Sequence, residues 1–164
     1  VNQTRTNVGA VTVTATLLDS NGGSFATASN APYLSVLRPG EESSFDVVFA
    51  GRSSNPPSYT VDVSWRATEM DSNAKLEIVA SASRIEEGDV WSVYGSVQNK
   101  GPNRVDLIAI VATLFDNADR VMAIAFGVPD AMPLDPGQIS TFGLSTNVTE
   151  PGSLARYTIQ AEGY

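Results

Sequence analysis

Along residues 11–17, Val11, Val13, Ala15 and Leu17 alternate with Thr12, Thr14 and Thr16. A period of two turns one set of side chains inward and the other toward water, so this stretch predicts a half-buried strand. Residues 107–111, Leu-Ile-Ala-Ile-Val, are instead apolar at every position, which predicts a strand covered on both faces. The extra cover is expected from the other repeat or from another chain. Similar runs broken by Gly, Pro, Asn and Asp clusters predict strands near 76–84, 89–99, 105–116, 120–127, 138–146 and 155–163. Pro39-Gly40 and Pro136-Gly137 are turn dipeptides, and Asn21-Gly22-Gly23 supplies the positive-φ residues of a tight hairpin after Asp19. No segment carries the period of a three-turn helix.

Shifting the chain on itself by 97 residues superposes Ala15-Thr16-Leu17-Leu18-Asp19 on Ala112-Thr113-Leu114-Phe115-Asp116. The same offset matches Asn2 with Asn99, Val8 with Val105, Pro32 with Pro129, Leu37-Arg38-Pro39-Gly40 with Leu134-Asp135-Pro136-Gly137, and Phe45 with Phe142; one residue later in phase, Tyr59-Thr60-Val61 matches Tyr157-Thr158-Ile159. Turn and core residues recurring together mark a duplicated structural unit. Short strands at this spacing predict an all-β fold of two tandem immunoglobulin-like β-sandwiches: an incomplete repeat over 1–68 and a complete one over 69–164, joined by a short polar linker, 67–75. The first repeat has no counterpart of residues 76–97, about two of the six strands. A sheet short of two strands leaves unpaired edges, so Val11, Val13, Ala15 and Leu17 are a candidate strand-accepting edge. The chain opens at Val1 without an initiator Met or a leader pattern, as a processed or excised piece does.

The sequence Val-Tyr-Gly-Ser-Val-Gln-Asn at 93–99, then Ala-Thr-Leu-Phe-Asp at 112–116, then Leu-Asp-Pro-Gly-Gln at 134–138 and Phe142, resembles the FxLYD family of bacterial and archaeal exported immunoglobulin-like domains. The likeness covers nearly all of 76–164 and, truncated, 1–66; Leu18 and Phe115 stand where Tyr is usual. It implies a cell-surface or secreted β-sandwich without catalytic residues, and it carries over no site.

Charge narrows the partners. Ten Lys and Arg against 18 Asp and Glu give a net charge of −8, which repels phosphate backbones and anionic lipid, so nucleic acid is not an expected partner. Charged residues make up only 17% of the chain, leaving a surface rich in Ser, Thr, Asn and Gly that suits an extracellular sandwich. The longest apolar stretch, 107–115, is about half of the ~20 residues a membrane helix needs, so this segment is not expected to insert.

Without Cys or His, the Ser-His-Asp and Cys-His arrangements are excluded, as are zinc sites of the usual ligands. The carboxylate pairs Glu41-Glu42 and Glu86-Glu87 fall in predicted turns, where solvated charge is the ordinary reading. Asp19, Asn21, Asp116 and Asp119 are candidate Ca²⁺ ligands at two loop tips, against the reading that Asp and Asn bond their own turn. Asn2 and Asn147 head glycosylation sequons. Trp65, Trp91, Tyr94 and Tyr164 are read as core or cross-strand packing before a sugar-stacking platform.

These observations predict a non-catalytic structural or interaction module of the cell envelope or extracellular space, without a cofactor. The expected partners are other protein chains, in a surface filament or larger assembly completed by strand donation. The alternative is a binding module for carbohydrate, a Ca²⁺-dependent adhesion domain, or a soluble accessory subunit docked on a membrane complex.

Overall fold

The computed structural model describes residues 1–50, 58–70, 75–149 and 154–164. The protein is all-β, with no helix among the described residues, and it divides into two compact units, Val1–Asp71 and Ser72–Tyr164. Part of the expected linker, 71–74, lies outside the described residues.

The second unit contains β5 (Leu76–Glu86), β6 (Val90–Asn99), β7 (Ile108–Asp116), β8 (Val121–Gly127), β9 (Ile139–Asn147) and β10 (Leu154–Gly163). They form two antiparallel sheets, β5-β6-β9 and β10-β7-β8. The inward residues of both sheets share one core: Trp91, Val93 and Val97 from β6, Phe142 and Leu144 from β9, and Ile110, Ala112 and Leu114 from β7. All six strands expected from the alternation are present with ends within three residues of those expected. The largest difference is at Val105, which forms only an isolated bridge to Leu134 before β7 begins.

The first unit contains β1 (Val8–Leu18), β2 (Ser24–Asn30), β3 (Val36–Leu37) and β4 (Ser58–Ala67). Here β1 is the central strand: Val13, Ala15 and Leu17 face Asn30, Ala28 and Ala26 on β2 and Val63, Val61 and Tyr59 on β4. The expected strand-accepting edge along Val11, Val13, Ala15 and Leu17 is therefore corrected. From residue 13 to 18 both sides of β1 already carry a bonded neighbour, and those four side chains line the sheet's apolar face. Between Gly9 and Thr12 the register against β4 shifts at a bulge, where Ala10 has φ 48°.

The sequence repeat extends to individual hydrogen bonds. Asn2 N donates to Glu41 O and Gly40 N to Asn2 O, as Asn99 N donates to Gln138 O and Gly137 N to Asn99 O. Ser43 Oγ accepts from Leu34 N at 2.9 Å, as Ser140 Oγ accepts from Ala131 N at 2.9 Å. Glu41 caps Arg38 N at 2.8 Å, as Gln138 caps Asp135 N at 2.8 Å. The sheet β2-β1-β4 is thus the counterpart of β8-β7-β10, whereas the opposing sheet has no counterpart among the described residues. Residues 42–49 correspond to β9 but form no strand. In the second unit the matching strand β9 is an edge strand paired with β6, and among the described residues the first unit has no strand in the position of β6.

Candidate interaction surface

Each candidate site residue has a definite place. Asp19 Oδ1 accepts from Asn21 N and Gly23 N, both at 2.8 Å. In the same way Asp116 Oδ1 accepts from Ala118 N at 2.8 Å and Arg120 N at 2.9 Å, while its Oδ2 meets Arg120 Nε at 2.7 Å. Asp119 pairs with Arg156 Nε at 2.9 Å. These oxygens staple hairpin turns. Among the described residues no three carboxylate-type groups gather as a metal site would require, so Asp19, Asn21, Asp116 and Asp119 are not brought together as Ca²⁺ ligands.

The Arg120 backbone N–H, followed by its side chain and the Ala118 N–H, holds the Asp116 carboxyl below its ordinary range against the opposing effect of burial. A depressed folded-state pKa contributes stability above the unfolded value of about 4, and that contribution is lost as pH falls through the folded-state value. Acid unfolding of the second unit is expected to become less steep below about pH 4 in Asp116→Asn. Parallel acid titrations of the two proteins check this; identical curves would remove Asp116 from the account.

Asn2 is corrected as a glycosylation site. It is buried, its Nδ2 donates to Leu37 O at 2.8 Å and Thr6 O at 2.9 Å, and its Oδ1 accepts from Thr4 N at 2.9 Å. The nitrogen that would carry a glycan is committed to two carbonyls. Asn147, at the end of β9, is exposed.

Of the aromatic residues, Trp91 is in the core of the second unit, whereas Trp65, Tyr94 and Tyr164 are exposed. Tyr94 OH donates to Glu86 Oε1 at 2.7 Å, and Arg84 Nε lies 3.2 Å from the same oxygen. The Tyr94 hydroxyl, then Ser92 and Arg84, lower the Glu86 pKa. A glycosidase general acid needs a raised pKa.

What does stand out is the apolar face of the first sheet. Tyr59, Val61 and Val63 lie beside Leu17, Ala15 and Val13 on one face, yet Tyr59 is 67% exposed and Val63 56%. Their counterparts Tyr157, Ile159 and Ala161 are partly buried against the opposing sheet. Phe45 is 42% exposed where Phe142 is 2%. Beneath Phe45 and Trp65 is a cavity of about 330 Å³, floored by Val8, Val11, Val13 and Val63 and bordered by Val1–Thr4. Together these side chains expose on the order of 500 Å² of apolar surface, taking ~150–250 Å² for a whole aromatic ring. That lies at the upper end of what a monomer ordinarily shows. The alternation of Tyr59, Val61, Val63 and Trp65 with Thr60, Asp62 and Ser64 was the available signal for β4, but its uncovered state follows only from pairing.

No family model, curated protein or solved structure matches the chain.

Proposed function

We propose that this protein is a non-catalytic structural and interaction module of the cell envelope or extracellular space, a subunit of a surface filament or larger assembly in which another polypeptide completes the first unit by strand donation. The open apolar face carried by Phe45, Tyr59, Val61, Val63 and Trp65 is the observation behind this reading. Covering such a face is favourable at roughly 25 cal/mol per Å² before ordering costs. The resemblance to exported FxLYD domains and a surface rich in Ser, Thr and Asn support the extracellular setting.

The test is the mass of the native particle by light scattering, with intact mass spectrometry of its denatured components. A particle heavier than one chain is expected. In Val63→Lys, association should weaken on the order of 100-fold or more, because the ammonium would be buried unpaired. Unfolding of the second unit should not change. A native particle of one chain, or association indifferent to Val63→Lys, removes the reading.

A further inference from the structure

The second unit buries a polar group that no neighbour answers. Trp91, on β6, is 1% exposed, and its indole Nε1 has no hydrogen-bond partner among the described residues. An indole N–H can only donate, and folded proteins match nearly every buried donor because an unmatched one is costly. The aromatic beside it does not supply the acceptor. Tyr157, with its ring centroid 6.1 Å from that of Trp91, has its OH 3.2 Å from Ser81 Oγ instead.

Trp91 lines a cavity of about 290 Å³ between β5 and β10, the strands that edge the two sheets. Leu114 lines it from the core, Ile85 from β5 and Leu154 from β10. Its charged lining is two arginines, Arg84 and Arg156, with no Asp or Glu among the described residues. In a chain of net charge −8 that lining reverses the prevailing sign. Each guanidinium meets a carboxylate outside the lining through Nε: Glu86 at 3.2 Å and Asp119 at 2.9 Å. Exposed pairs of this kind hold weakly, and the planar fork has further donors for a second carboxylate.

We infer that this cavity binds a small organic carboxylate with an apolar, ring-sized body. The carboxylate accepts from Trp91 Nε1–H and from a guanidinium at the mouth, and the hydrocarbon rests on Ile85, Leu114 and Leu154. The site is independent of the open face of the first unit. Its size fits: an apolar cavity of about 150 Å³ is enough for benzene, so this one holds a ring and a short acid chain. A water in the same place would need two to four polar partners, and those three side chains offer none. Nε1 is shielded from solvent, so the acceptor reaches it as a lining side chain shifts, and the weakly held arginines are the ones that move cheaply.

The test titrates 3-phenylpropionate into the ¹⁵N-labelled full chain and follows the indole N–H signals of Trp65 and Trp91, assigned with Trp65→Phe. Low-millimolar binding is expected of a ligand this small, with a downfield shift of the Trp91 signal and none of Trp65. The uncharged 3-phenylpropionamide should bind about tenfold more weakly or worse, because charge-assisted bonds are the stronger ones. The double variant Arg84→Gln, Arg156→Gln, at two exposed positions, should reduce the acid to the affinity of the amide and leave the amide unchanged. Glucuronate, the same carboxylate on a polar ring, should also bind about tenfold more weakly than 3-phenylpropionate. Equal binding of acid and amide overturns the carboxylate, and glucuronate binding as tightly as 3-phenylpropionate overturns the apolar body. Full affinity for the acid in the double variant overturns the part given to the arginines. A Trp91 signal that does not move in a saturable way overturns the site and leaves Nε1 unmatched or to water.

Discussion

Asn99→Ala is expected to cost the second unit about 3 kcal/mol. Asn99 is fully buried, and its side chain makes three hydrogen bonds: Nδ2 donates to Asn103 O at 2.7 Å and Leu134 O at 2.9 Å, and Oδ1 accepts from Gly101 N at 2.9 Å. Truncation orphans these groups inside the fold, and each unsatisfied buried group costs roughly 1–3 kcal/mol. Leu134 O keeps a second donor in Val105 N at 3.0 Å, which holds the total below the sum of three full penalties. Asn99→Asp is nearly isosteric yet should cost at least as much, because a carboxylate would face two carbonyl oxygens with nothing to donate. Urea unfolding followed by Trp91 fluorescence in a Trp65→Phe background measures both. Wild-type stability in Asn99→Asp would show that the side-chain nitrogen does not hold those carbonyls. Asn2→Ala should cost less, since Thr4 and Thr6 stand nearer to solvent and water can replace part of what is lost.

The difference between Asn2 as read from sequence and as folded shows where local pattern ends. A sequon is three residues long and says nothing of burial, whereas the role of Asn2 depends on Leu37, 35 residues away. The repeat held the better signal: Asn2 stands in register with Asn99, and an amide retained in both copies beside matching Pro-Gly turns points to a structural bond. The six strands of the second unit were legible because each is a run of seven or more residues, alternating or, as in β7, continuously apolar, broken off by turn residues. Which strand was central in the first unit was not. Alternation fixes the face a side chain takes but not the neighbours on either side, so β1 could be mistaken for an edge although β2 and β4 flank it. The loss of strand structure over 42–49 was equally hidden. Its Ser43, Phe45, Val47 and Phe49 alternate as those of β9 do, and alternation does not say whether a neighbouring strand is there to form a ladder with.

Gly95→Val should destabilise the second unit by about 3 kcal/mol or more, at or beyond the upper end of ordinary overpacking. Neither neighbour of the added Cβ can yield cheaply. Ala80 O is backbone of β5, fixed beside a register shift between Ile78 and Ala80. Phe142 is core and cannot swing away without opening a cavity among Val93, Val97 and Leu144. Gly88→Ala provides the contrast. Gly88 has φ +81° with open space around its Cα, so only left-handed strain of roughly 1–2 kcal/mol is added. Thermal unfolding of the two variants side by side separates crowding from backbone strain. A Gly95→Val protein that melts within a few degrees of Gly88→Ala would mean that the Phe142 ring moves freely. A collapse of the second unit would instead establish that this position tolerates no side chain, because the Phe142 ring and the Ala80 carbonyl already fill the space a Cβ would need.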